Sequence, residues 1–196
     1  MNLMPHNKGI TLIEAIVAVT ILAVAIVGPM TLAAQSLRAS RDTRNELIAT
    51  HLAEEGIEVI HNLRDNNVTN YPSGSWLVNI LPGCGAAGCG VDVTQGDTTL
   101  VWNPGVVLPC TPDCSAVGVI YYDPATGLYR QSATPLTSPW IVSPFTRTIV
   151  ATGIDDPVNP QRQVHLVSTV SYQGYANVTK TVTVTDDLYN WFPPLH

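Results

Sequence analysis

Charge is scarce in this sequence: Asp, Glu, Lys and Arg make up 12% of 196 residues, with a net charge of −6 and a pI near 5.1. An acidic chain lacks the broad positive footprint that nucleic acid requires, so there is no strong case for such a partner beyond a local basic patch. Low charge with 45% hydrophobic residues does not describe a disordered tail either. No Gly-rich phosphate loop, no Gly-x-Ser-x-Gly elbow and no His-Glu-x-x-His helix is expected from the sequence. Those absences remove common signposts of nucleotide, acyl-transfer and metalloprotease chemistry. An enzyme is disfavoured, and neither catalytic residues nor a cofactor is expected.

What is present is an uncharged run of 23 residues, Ala15 to Leu37. It exceeds the roughly 20 residues that a helix needs to cross a hydrocarbon core. A cleaved secretory signal has a shorter apolar region, about 7–15 residues, before a small-x-small site. Directly ahead of the run lies Glu14, and ahead of that Lys8-Gly9-Ile10-Thr11-Leu12-Ile13. A carboxylate at a membrane helix start is costly when buried and needs a partner. Cleavage after Gly9 would free the amine of Ile10, a cation at neutral pH. In a stack of such helices, Glu14 of one subunit meets that amine in its neighbour.

Lys8-Gly9 followed by Ile10-Thr11-Leu12-Ile13-Glu14-Ala15 resembles the signal and transmembrane segment of type IV prepilins and type II secretion pseudopilins. Ile10, where major pilins more often carry Phe, favours a minor subunit. The resemblance implies cleavage between Gly9 and Ile10 and N-methylation of Ile10 by a membrane prepilin peptidase. It also implies that Glu14 guides insertion among other pilin or pseudopilin subunits at an inner-membrane assembly platform, starting from membrane lipid. Gly28-Pro29 is expected to break or kink the helix by removing the bond to the Ala25 carbonyl. Similar prolines in the family are places where the helix stretches on packing.

The expected organisation is a leader (1–9), a transmembrane and filament-core helix (10–37), its amphipathic continuation (38–66) and an extracytoplasmic β-rich head (67–196). The continuation carries a stripe of Leu37, Ile48, Leu52, Val59 and Leu63, and Asn66-Asn67 is expected to stop the helix near Arg64. Its segment Leu52 to Asn66 also resembles the helix end of pilus-modification-type minor pilins. His51 and His61, ten residues apart, are read as surface or packing residues. Arg38, Arg41 and Arg44 follow the span, against one lysine in the leader, so a count of basic residues would place the head in the cytoplasm. The motif and the cysteines place it outside.

The fold class expected is α+β, with the helix covering an antiparallel sheet. Val164–Tyr172 and Val178–Thr185 alternate and should pair through a turn at Gln173-Gly174, with Phe145–Ile154 as a third strand. Shorter strands are expected at Trp76–Leu81, Thr98–Trp102, Val117–Tyr122 and Leu128–Gln131, and the tail Leu188–Phe192 is expected to pack its aromatics on the sheet edge. Cys84, Cys89, Cys110 and Cys114 would suit either a four-thiolate zinc site or two disulfides. Export favours disulfides, with three pairings open. Asp155-Asp156 and Asp186-Asp187 offer oxygen ligands for calcium without EF-hand spacing, so no metal is expected. Asn67-Val68-Thr69 and Asn177-Val178-Thr179 fit the glycosylation triplet, a pattern too short to weigh much. The competing reading is a non-polymerising, membrane-anchored extracytoplasmic binding protein. A DNA-uptake pseudopilin would need a basic patch on the head.

Overall fold

A computed structural model describes residues 9, 11–70, 76–92, 107–154 and 162–190. The chain divides into two compact units between Thr43 and Arg44. One helix, α1 (Leu12–Asn70), contributes to both. In the first unit every described side chain except half-buried Asp42 is exposed, including the aliphatic run. The second unit takes α1 from Arg44 and adds a short helix, α2 (Leu81–Cys84), with seven strands.

The strands are β1 (Cys89–Val91), β2 (Val107–Pro109), β3 (Val119–Tyr122), β4 (Tyr129–Gln131), β5 (Ile141–Ile154), β6 (Gln163–Gln173) and β7 (Thr179–Tyr189). All pairings are antiparallel. The 14-residue β5 is central: β6 runs along one edge, and the other edge is shared by β3 near Thr146 and β1 at Ile149. The order β5-β6-β7 is the expected meander. Its hairpin differs in the turn, because Gln173 pairs with Thr179 and the loop is Gly174–Val178, closed by a Gly174 N–H bond to the Val178 carbonyl at 2.8 Å. Val178 consequently lies in the loop, exposed, rather than on the face of Val182 and Val184.

Residues 76–81 are not a strand. Trp76, Leu77 and Ile80 all turn inward, a helical spacing that a strand would scatter over two faces. Asn79 takes a left-handed φ of 60° and Pro82 opens α2. A short apolar run bounded by proline reads equally well either way until packing decides. Thr98–Trp102, the linker with Asp155-Asp156, and Trp191-Phe192 lie outside the described residues.

The helix also continues past Asn66-Asn67. Asn66 bonds back to Asn62 at 2.7 Å, and buried Asn67 donates to the carbonyls of Trp76 and Val78 at 3.1 and 2.8 Å. Tertiary contacts thus occupy the side chains that would otherwise compete with the helical backbone. The covering face is Ala49, Leu52, Ala53, Gly56, Ile57, Ile60, Leu63 and Asn67, with Ile48 and Val59 at its margins. Leu37 is exposed and belongs to no such stripe.

Two apolar clusters fill the space under this face. One holds Ala49, Leu52, Ala53, Phe145, Val170 and Tyr172, the other Ile57, Ile60, Leu63, Ile149, Ala151, Val164 and Leu166 with the α2 and β1 side chains. Each large aliphatic side chain buried there contributes about 1.5–3 kcal/mol. Of the three open cysteine pairings, the structure takes Cys84–Cys89 and Cys110–Cys114. Cys84 and Cys89 sit inside the second cluster, and the register Cys89↔Pro109 brings the second disulfide alongside.

Candidate functional site

The N-terminal end of α1 is built by Thr11, which the sequence reading passed over. Its hydroxyl accepts the Glu14 N–H at 3.3 Å and its carbonyl accepts the Ala15 N–H at 3.1 Å. Thr11-x-x-Glu14 has the spacing of a capping box, whose first half is made here. Glu14 falls in the first turn, where a negative charge meets the positive end of the helix dipole. Gly9 and Glu14 are both exposed, whereas Ile10 lies outside the described residues. The signal for Thr11 was present in the residue pattern itself.

Along the run, hydroxyls are satisfied internally: Thr20 donates to the Val17 carbonyl and Thr31 to the Gly28 carbonyl, each at 2.8 Å. The helix continues through Gly28-Pro29, so this pair does not end it. It is long and apolar enough to cross a membrane.

Between the two apolar clusters of the head lies a polar seam centred on Arg147. Its guanidinium donates to the Leu52 carbonyl at 2.8 Å, Glu55 at 2.9 Å, Gln131 Oε1 at 2.9 Å and the Val91 carbonyl at 3.0 Å. Gln131 in turn donates to the carbonyls of Val117 and Arg147 and accepts the Val91 N–H. Burial pushes the Arg147 guanidinium below its ordinary range, and Glu55 and Asp92 oppose that. This network ties α1, β1, β4 and β5 together. Arg147 and Gln131 are buried within it, and Glu55 alone of its side chains reaches the surface. The clue in the sequence was parity, because Arg147 shares a face with Phe145, Ile149 and Ala151.

The carboxylate pair Asp186-Asp187 does not form a cation site. Asp186 faces the helix and meets His61 at 2.5 Å, while Asp187 faces the opposite side of the sheet and meets His165 at 2.7 Å. Successive strand residues point apart, so the two carboxylates cannot share one ion. Burial works to raise the Asp186 carboxyl, but hydrogen bonds from His61 and the Asp187 N–H, with the charges of His61 and Arg64, hold it below the usual range. His51 pairs within the helix with Glu54. Among the described residues no group of three or more His, Cys, Asp or Glu could hold a metal.

Gly83-x-Gly85-x-x-Gly88 has dinucleotide-loop spacing, but it runs from helix α2 into strand β1 and is closed by Cys84–Cys89. The phosphate-binding loop needs the reverse order, strand into helix. Of the two glycosylation triplets, Asn67 is fully buried in the core.

Residues 4–28 match the prokaryotic N-terminal methylation motif. This is the type IV prepilin and pseudopilin signal, and it spans Lys8-Gly9, Ile10–Ala15 and the run as far as Gly28. No curated protein and no solved structure matches the chain. The molecule thus joins a pilin-type precursor signal to an α+β head in which a long helix covers an antiparallel sheet, a pilin-like architecture.

Proposed function

We propose that this chain is a filament subunit, a minor pilin or pseudopilin of a type IV pilus or type II secretion system. The observation that carries the reading is the methylation motif heading a helix whose aliphatic side chains from Leu12 to Leu37 are all exposed. The head closes its own core with the later part of α1, which leaves the first part available for packing against lipid and then against like helices. Prepilin peptidase cuts between Gly9 and Ile10 and methylates Ile10. The new amine is neutralised by Glu14 of an adjacent subunit, which lowers the cost of burying both charges and sets axial register. Before assembly the chain spans the cytoplasmic membrane once, with its disulfide-bearing head outside.

Mass spectrometry of the protein recovered from its native membrane tests this. The expected N-terminus is methylated Ile10, and Gly9→Ala should leave the leader attached and abolish filament entry. An intact Met1, or mature-length Gly9→Ala protein in filaments, would overturn the reading in favour of a non-polymerising membrane-anchored binding protein.

A further inference from the structure

The two Asn-x-Thr triplets of this chain sit in opposite surroundings. Asn67 lies in helix α1, fully buried, with its amide committed to the carbonyls of Trp76 and Val78. Asn177 ends a single 3-10 turn, Tyr175–Asn177, at the tip of the β6–β7 hairpin, where it is exposed. Its φ of 59° is left-handed, a conformation that Asn adopts more readily than most residues with a side chain. Val178 follows in extended geometry, and Thr179 opens β7, exposed as well. The Thr179 hydroxyl accepts a hydrogen bond from Gln173 Nε2 at 3.0 Å, which leaves its own proton to donate. No residue of the loop Gly174–Val178 belongs to either apolar cluster, so an enzyme can reshape this tip without disturbing the core.

We propose that Asn177 is an N-glycosylation site, modified from a polyprenyl-diphosphate-linked glycan by an oligosaccharyltransferase on the outer side of the cytoplasmic membrane. This rests on the extracytoplasmic placement of the head in the reading above. An Asn-x-Thr triplet is a glycan acceptor only where an exported chain presents it on a surface loop, a condition that Asn177 meets and Asn67 does not. In the transfer, Asn177 Nδ2 attacks the anomeric carbon of the first sugar. The N–C bond forms as the bond from that carbon to the diphosphate oxygen breaks, polyprenyl diphosphate leaves, and one amide proton passes to a carboxylate of the transferase. The loop also offers the glycan apolar surface to cover. Tyr175 and Val178 are 57% and 58% exposed on either side of Asn177, and the C–H face of a sugar packs on an aromatic ring as other apolar groups do.

The test is tandem mass spectrometry of the full chain recovered from its native membrane. Trypsin releases Gln163–Lys180, in which Asn177 is the only asparagine. Electron-transfer fragmentation should place a glycan on Asn177, while the peptide carrying Asn67 stays bare. N177Q and T179A should each lose the glycan completely, whereas T179S, which keeps the hydroxyl, should retain most of it. A bare Asn177 in the unaltered protein, or a glycan mapped to Ser168, Thr169, Ser171 or Thr179 in its place, would overturn the proposal. The N-terminal peptide of the same digest separates the two readings. Methylated Ile10 with a bare Asn177 removes the glycan site alone, whereas an intact Met1 with a glycan on Asn177 removes the filament subunit and upholds the site.

Discussion

Arg147 Nη1 donates to the backbone carbonyl of Leu52 at 2.8 Å, joining the central strand to the middle of the covering helix. The same nitrogen holds Glu55, and the rest of the guanidinium bridges to β1 and β4. The contact lies at the level where the two apolar clusters separate, with Leu52 above it on α1 and Ile57 below. A buried charge of this kind is costly to expose to apolar surroundings, so its acceptors act as a unit.

Arg147→Ala should therefore destabilise the head by about 3–5 kcal/mol, because it leaves buried acceptors and a carboxylate without their donor. Glu55→Gln keeps an acceptor of the same size at a partly exposed position and should cost only about 1 kcal/mol. Urea unfolding of the two variants reads the ranking. Equal costs would mean that Glu55, rather than the set of carbonyls, holds Arg147 in place.

Gly56 faces this seam, and the space beyond it is limited. A Cβ there would stand 2.8 Å from Ile149 Cδ1, 3.1 Å from Ser168 Oγ and 3.2 Å from Arg147 Cδ. Gly56→Ala gains about 1 kcal/mol of helix propensity and meets chiefly the movable end of Ile149, so its net effect should lie within about 1 kcal/mol of zero. Gly56→Val cannot be relieved that way and should cost about 1–3 kcal/mol through overpacking. A Gly56→Val head as stable as the parent would show that the helix can lift from the sheet.

Acid stability should depend on Asp186. Its carboxyl is held below the ordinary range in the folded head, so the stability it contributes is present above the unfolded value, near pH 4. That contribution disappears as pH falls through the lower folded value. Thermal unfolding followed from pH 6 down to pH 2 should show a smaller loss of Tm for Asp186→Asn than for the parent. The variant should also start lower at pH 6, having lost the carboxylate contact with His61. Parallel curves for the two proteins would mean that other carboxylates govern acid unfolding.

Much of this architecture was legible beforehand because burial imposes a period on the strands. Val164, Leu166, Val170 and Tyr172 alternate with polar residues, and they mark the covered face of β6. The helix face is less legible, since its most deeply buried positions include Ala49, Ala53 and Gly56, where a Cβ on Gly56 would already stand 2.8 Å from Ile149. Small residues carry little hydrophobic signal, yet they let the helix approach the sheet. Arg147 is illegible for the opposite reason: a lone arginine looks like a surface residue until its neighbours supply three neutral acceptors and a carboxylate. The cysteine pairing depended on the turn from α2 into β1, which no spacing rule selects.

Two roles for Glu14 can be separated through Thr11. In the isolated helix Glu14 donates its backbone N–H to the Thr11 hydroxyl and places its carboxylate at the positive end of the dipole. Losing an N-cap costs about 0.5–2 kcal/mol, a local penalty that a helix packed among others can absorb. Leaving a terminal amine buried among packed helices without its counter-charge costs about 3–5 kcal/mol, enough to lower incorporation by at least on the order of a hundredfold. Thr11→Val should therefore enter filaments nearly as well as the parent, whereas Glu14→Ala should insert in the membrane normally and be almost absent from them. Quantitative immunoblotting of membrane and sheared-filament fractions measures both. If the two variants were depleted equally, Glu14 would act through the helix cap rather than through its neighbour's amine.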